Sequence, residues 1–197
     1  MNNDVRTIVL AGVGGQGTIL VSRVLTTALI DAGYDVKMSE IHGMAQRGGS
    51  VSTTVRYGKK VESPLVGKGA ADILVAFEQM EAVRSTPILK NDGIIIVNDY
   101  KIMPLPVASG RAEYPDNYIE KLSEAFRVIA FNAGQAAIEL GNARVMNIIL
   151  LGAMVEAFEM DRLDWDSALE KQVPPKFLDI NRKAFELGRS MARKENV

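Results

Sequence analysis

A chain of 197 residues with 23 Lys+Arg against 24 Asp+Glu carries a formal charge of -1, so no strong field draws it to nucleic acid or to an anionic membrane. With 47% hydrophobic and 24% charged residues it is composed like a globular chain and is long enough for one domain with a full core. Cysteine is absent and histidine occurs once, as His42, which excludes disulfides, thiolate zinc sites, a cysteine nucleophile, an all-imidazole metal site and any iron–sulfur cluster held by this chain alone.

The segment Met1 to Arg6 is polar, and the apolar run Ile8 to Ala11 is too short for a signal h-region, so a cytoplasmic protein is expected. No apolar stretch reaches membrane-span length; Met146 to Phe158 is interrupted by Asn147, Gly152 and Glu156 and predicts a buried helix. Thr7 to Ala11 is the first of five short, largely continuous apolar runs that predict strands buried on both faces. The others are Val36 to Met38, Ile73 to Phe77, Ile94 to Val97 and Val128 to Phe131. Between the first two, Gln16 to Ala32 is helical in pattern, with Leu20, Val21, Val24, Leu25, Ala28 and Leu29 on one face and Gly33 as the stop.

Val51, Thr53, Val55 and Tyr57 alternate with polar residues, and Gly58-Lys59-Lys60 leads into Val61-Glu62-Ser63, which predicts an antiparallel hairpin. Pro104, Pro106, Gly110 and Pro115 mark a long irregular connection, a surface excursion or a partner-docking loop. Beyond Gly134 the chain reads as helical, over Asn142 to Met160, Asp164 to Gln172 and Pro175 to Lys194. The expected fold class is therefore α/β: a doubly wound, mainly parallel, Rossmann-like sheet with an antiparallel hairpin and a helical C-terminal part.

The first strand runs into Gly12-Val13-Gly14-Gly15-Gln16-Gly17, with glycines at the G-x-G-x-x-G positions between strand and helix. Such glycines let a phosphate approach backbone N–H groups at a helix N-terminus, where the dipole favours an anion. The alternative is a tight turn that holds no ligand. Gln16 adds an amide able to donate to a phosphate or a partner. A dinucleotide site also wants an acid closing the second strand about 20 residues on. Asp31 and Asp35 lie in or just after the helix, and Glu40 comes late, so NAD fits poorly.

Ser39 to Ser50 shows neither helical nor strand periodicity yet is dense in glycine and hydrogen-bonding groups, as a site loop would be. If the first two strands are parallel, this loop leaves the same sheet edge as the glycine turn. Arg47 offers a fork for phosphate or carboxylate, or else an ion pair that pins the loop, and Gly48 and Gly49 let N–H groups face an anion. His42 is a proton carrier or, more in keeping with a glycine-rich loop, an orienting residue. Glu78, Gln79, Asn98, Asp99, Asn132 and Gln135 follow strands at that edge and read as helix caps and turn residues. Asn147, inside an apolar helix, needs a buried hydrogen-bond partner on a neighbouring loop.

Gly12-x-Gly-Gly-Gln-Gly17, the Gln46-Arg47-Gly48-Gly49 loop, Ser63-Pro64, Ala71-Asp72 before a strand, and Asn147 with Leu151-Gly152-Ala153 together resemble the gamma-type subunit family of 2-oxoacid:ferredoxin oxidoreductases. The resemblance covers nearly the whole chain, 1–197, as one gamma-type domain. It is nearest to the indolepyruvate:ferredoxin oxidoreductase branch, whose small beta subunits are about this length and have a similar tail, here Asn181, Ala184, Phe185 and Gly188.

The resemblance implies an accessory subunit with no catalytic residue and no metal ligand of its own. Thiamine diphosphate, Mg and [4Fe-4S] clusters would sit on a larger catalytic partner, and ferredoxin would accept electrons from the complex. It further implies that Gly12, Gly14, Gly15, Gln16 and Gly17, with His42, Arg47, Gly48 and Gly49 beside them, form a loop pair that contacts coenzyme A or the partner. The absence of cysteine agrees with clusters held elsewhere, and no Gly-Asp-Gly with paired asparagines is present to bind thiamine diphosphate. The apolar C-terminal half and the Pro104 to Pro115 stretch offer surface to such a partner. Two other readings stay open: a stand-alone NAD(P)-binding Rossmann-type reductase and a nucleotide-binding regulatory module.

Overall fold

The computed structural model describes residues 5–43, 49–114 and 116–195. Arg47, Gly48 and Pro115, and the N-terminus through Asp4, therefore lie outside the described residues. β1 (Arg6–Val13), β2 (Asp35–His42), β3 (Ser50–Gly58), β4 (Ala71–Ala76), β5 (Leu89–Asn98) and β6 (Arg127–Phe131) form one sheet in the order β2-β3-β1-β4-β5-β6. β1, β4, β5 and β6 are parallel, and β3 runs antiparallel between β2 and β1. All five apolar runs fall in or against these strands.

α1 (Thr18–Asp31) follows β1, α2 (Gln79–Ser85) follows β4, and α3 (Leu105–Ala108) and α4 (Tyr118–Ala125) lie between β5 and β6. α5 (Ala133–Glu139), α6 (Met146–Ala157), α7 (Trp165–Gln172) and α8 (Leu178–Glu195) complete the chain. Strand alternation divides the core in two. Ile8, Leu10, Ile73, Val75, Ile96 and Ile129 pack beneath α1 and the C-terminal helices, while Val9, Ala11, Leu74, Ala76, Ile95 and Val97 face α2 and α4. The sheet is thus covered on both faces, as a doubly wound sheet requires.

The hairpin differs from expectation. β3 does pair antiparallel with a neighbour in sequence, but that neighbour is β2, which precedes it, and not Val61 to Ser63. The Asp35 carboxylate accepts the Val61 N–H at 2.8 Å, and Arg56 donates to the carbonyls of Ser63 at 2.8 Å and Leu65 at 3.0 Å, so this segment is tied to the hairpin without joining its ladder. Ser39 to His42, expected as loop, is the second half of β2. It forms the sheet edge, where a strand is partly solvated and needs no clean apolar alternation.

The apolar C-terminal half also differs from expectation. Ile148 to Leu151 and Ala153 to Val155 are fully buried within the chain itself, so α6 is a core helix and offers no face to a partner. Gly152 and Gly188 let α6 and α8 touch at the backbone: a Cβ on Gly152 would overlap the Phe185 carbonyl, and one on Gly188 the Ile149 carbonyl. Among the described residues no helix is long and apolar enough to cross a membrane.

Candidate functional site

β1 delivers the glycine turn to the carboxyl edge of the sheet. Gly15 has φ +102° and Gly17 φ +84°, so the turn needs residues without a Cβ at both places. Gly12 lies within β1, where a Cβ would stand 2.9 Å from Gln16 Oε1 and 3.0 Å from Phe77 Cβ. Gln16 Oε1 accepts the Val13 N–H at 2.7 Å and its Nε2 donates to the Phe77 carbonyl at 2.9 Å. Its amide is therefore spent on stapling the turn to the end of β4, and it does not reach for a phosphate. The N–H groups of Gly15, Gly17, Thr18 and Ile19 have no acceptor among the described residues, and no side chain caps α1.

The turn forms one wall of a cavity of about 790 Å³. Asn98 at the end of β5, Tyr100 and Ile102 after it, Asn132 and Gln135 after β6, Arg144 ahead of α6 and Met146 at its start supply most of the rest. Asn98 is buried and bridges the Phe77 carbonyl, at 3.1 Å, to the Ala133 N–H, at 2.9 Å. The ends of β4, β5 and β6 are thereby locked together. Asn132 caps α5 by accepting the Gln135 N–H at 2.8 Å, as expected. Asn147 donates to the Gly17 carbonyl at 3.1 Å, the loop contact its sequence position called for.

One wall is pinned from below by a buried carboxylate. Glu78 Oε2 caps α2 through the Glu81 N–H at 3.0 Å, and Oε1 accepts the Ile102 N–H at 3.1 Å and the Tyr114 hydroxyl at 2.7 Å. Burial and this carboxylate acceptor push the Tyr114 phenol well above its ordinary range, so it remains a donor. Gln79 also holds the connection, donating its backbone N–H to the Tyr100 carbonyl at 3.1 Å and its side-chain amide to Asp99. The Pro104 to Pro115 excursion leaves from this anchor with Met103 and Leu105 exposed.

The second loop meets the first. β1 and β2 run in the same direction because each is antiparallel to β3, and Gly14 donates its N–H to the Gly49 carbonyl at 2.9 Å. His42 ends β2 half-exposed, 3.6 Å from the Glu40 carboxylate, and does not line the cavity. With Arg47 outside the described residues, Arg144 is the cation lining the described cavity, and sequence reasoning missed it. The reason is that α5 is only seven residues, about 10 Å long, too short to carry the chain away from the carboxyl edge, a length the sequence did not mark.

A dinucleotide arrangement is absent for a topological reason. β3 stands between β1 and β2, so Glu40 is a full strand away from where a ribose beside the glycine turn would lie. Asp31 is engaged by Lys171 and Asp35 by Lys37 and the Val61 N–H. Among the described residues no group of three His, Asp or Glu could hold a metal ion.

A doubly wound sheet with an antiparallel hairpin, a glycine turn and a carboxyl-edge cavity defines an α/β domain of the Rossmann-like kind. The sequence pattern of the pyruvate ferredoxin/flavodoxin oxidoreductase family matches residues 7–191, and the chain belongs to that family. It is 39% identical over 192 residues to indolepyruvate oxidoreductase subunit IorB of Pyrococcus horikoshii, covering 94% of this chain and 95% of the relative. Among solved structures it is similar to the gamma subunit of a keto/oxoacid ferredoxin oxidoreductase from Geobacter sulfurreducens, with TM-score 0.71, 26% identity, and coverage of 96% and 99% of the two chains. The fold also matches 2-oxoglutarate:ferredoxin oxidoreductase from Magnetococcus marinus, solved with 2-oxoglutarate, coenzyme A and succinyl-CoA bound, at TM-score 0.75 and 20% identity over 96% of this chain and 31% of that one.

Proposed function

We propose that the chain is the accessory, gamma-type subunit of a cytoplasmic thiamine-dependent indolepyruvate:ferredoxin oxidoreductase, folded as one domain over 1–197. The observation that carries this reading is 39% sequence identity, over 94% of this chain and 95% of the relative, with indolepyruvate oxidoreductase subunit IorB. The chain has no cysteine to ligate a cluster and no thiamine signature. Thiamine diphosphate, Mg and the clusters therefore belong to a larger subunit, where the thiamine supplies decarboxylation of an aryl pyruvate and the clusters pass electrons to ferredoxin. The exposed Tyr100 and Ile138, which line the cavity, and the exposed Met103 and Leu105 that follow Ile102 supply apolar surface for that subunit.

The role of this chain's own residues is to hold the acyl acceptor. Coenzyme A fits the carboxyl-edge cavity by its donor set: the free N–H groups of Gly15, Gly17 and Thr18 and the guanidinium of Arg144 suit phosphate oxygens, and Tyr100, Ile102 and Met146 suit its less polar parts. Replacing Arg144 by Gln in the assembled complex tests this. The expected result is a KM for coenzyme A raised about tenfold with kcat and the KM for the oxoacid little changed. An unchanged coenzyme A dependence removes Arg144 and this cavity from the site.

A further inference from the structure

At the opposite, amino edge of the sheet a second cavity of about 790 Å³ opens between the start of β1, the end of β3, the α1–β2 turn and the α6–α7 connection. We propose that it binds an aromatic monocarboxylate, the carboxylate held among Arg6, Lys59 and Arg162 and the ring laid against Tyr34 and Tyr57.

The aromatic wall is preassembled. Tyr34 and Tyr57 meet edge to face with centroids 5.3 Å apart, Tyr57 buried and Tyr34 left 42% exposed, and the apolar side chains of Leu29 and Met160 continue the floor. Three cations line the cavity. The Arg6 guanidinium lies over the Phe158 ring at 5.3 Å and reaches Asp72 with one nitrogen at 3.7 Å, and its side chain has no other acceptor among the described residues. Lys59 and Arg162 have no carboxylate within ion-pairing distance among the described residues.

Two acids also line the cavity, and they set the charge of the ligand. Asp161 is taken by Arg189, but Glu159 is exposed and has no basic partner among the described residues, which favours one compact anion over a polyphosphate. Burial pushes the Tyr57 phenol up to about 12, so at neutral pH it remains protonated and able to donate to a carboxylate. The eight residues of β1 separate this cavity from the glycine turn by about 25 Å, so the inference does not depend on the coenzyme A reading.

The test titrates the full chain with indole-3-acetate, followed by calorimetry and by saturation-transfer NMR. Saturable one-to-one binding is expected, undisturbed by excess coenzyme A. It should weaken about tenfold in the exposed double variant Lys59→Gln/Arg162→Gln and again in Tyr34→Ala, with circular dichroism confirming that each variant is folded. No saturable binding at millimolar concentration overturns the proposal. So does binding that coenzyme A displaces and that these variants leave intact.

Discussion

Asn147 and Gly17, 130 residues apart in the chain, meet behind the carboxyl-edge cavity, where the Asn147 amide donates to the Gly17 carbonyl at 3.1 Å. A methyl group on Gly17 would overlap that same amide. The buried polar residue of α6 and the last glycine of the turn are thus one device: the helix supplies the donor, and the missing side chain supplies the room for it.

Gly17→Ala should destabilise the chain by about 2–4 kcal/mol, because it combines the left-handed φ with the clash against Asn147. In an Asn147→Ala background the same change should cost only about 1 kcal/mol, the strain of φ alone. Chemical denaturation of the four members of the cycle measures this coupling. Additive effects would show that the two residues act independently.

Gln16→Leu keeps the bulk of the side chain and removes both staple bonds, to the Val13 N–H and to the Phe77 carbonyl. A loss of about 1–2 kcal/mol is expected in denaturant unfolding. The KM for coenzyme A in the complex should rise several-fold, because the turn that walls the cavity loses its shape. Parent-like coenzyme A dependence would mean that the turn keeps its shape without Gln16.

Much of the fold was legible because strands announce themselves as apolar runs, and all five such runs fall in or against strands, although Val36 to Met38, expected to be buried on both faces, lies in the partly exposed edge strand β2. The ladder partner of β3 was not legible. Its alternation shows that one face is buried but carries no record of which neighbour pairs with it, and half of the true partner β2, Ser39 to His42, is an edge segment whose polar residues resemble a loop. At the site the glycine turn and the Asn147 contact could be read from residue type. Arg144 could not be singled out without knowing that α5 is short, and Gln16 bonds to groups brought near only by the β1–β4 pairing.

Gly188→Ala should be among the most destabilising small substitutions in the chain, at about 3 kcal/mol or more, since its Cβ would meet the backbone of Ile149 and only movement of α8 could relieve it. Gly33→Ala, where the new Cβ would have no neighbour within 4 Å, should cost only the strain of its positive φ, about 1 kcal/mol. Thermal melts of the two variants compare them directly. Equal shifts would argue against backbone contact between α6 and α8.

Stability in acid should depend on Glu156. The hydrogen bond from Arg193 holds its carboxyl below the usual glutamate range, burial opposes this, and the hydrogen bond from Arg189 adds to the lowering. A depressed folded pKa adds stability above the unfolded value and loses it as pH falls through the folded one. Glu156→Gln should therefore be less stable than the parent by about 1 kcal/mol at neutral pH, a figure limited by solvent screening. The gap should close as pH is lowered through the carboxylate range. A gap independent of pH would assign the effect to packing.

This chain should work only as a subunit. Purifying the tagged chain from its own cell, identifying what accompanies it, and assaying 2-oxoacid-dependent reduction of a viologen dye with each component withheld in turn tests this. The account predicts a larger, cysteine-bearing partner, activity that needs both chains and coenzyme A, and indolepyruvate as the preferred oxoacid. Recovery of the chain alone, turnover by it without a partner, or full coenzyme A-dependent activity of the partner without it would contradict the account.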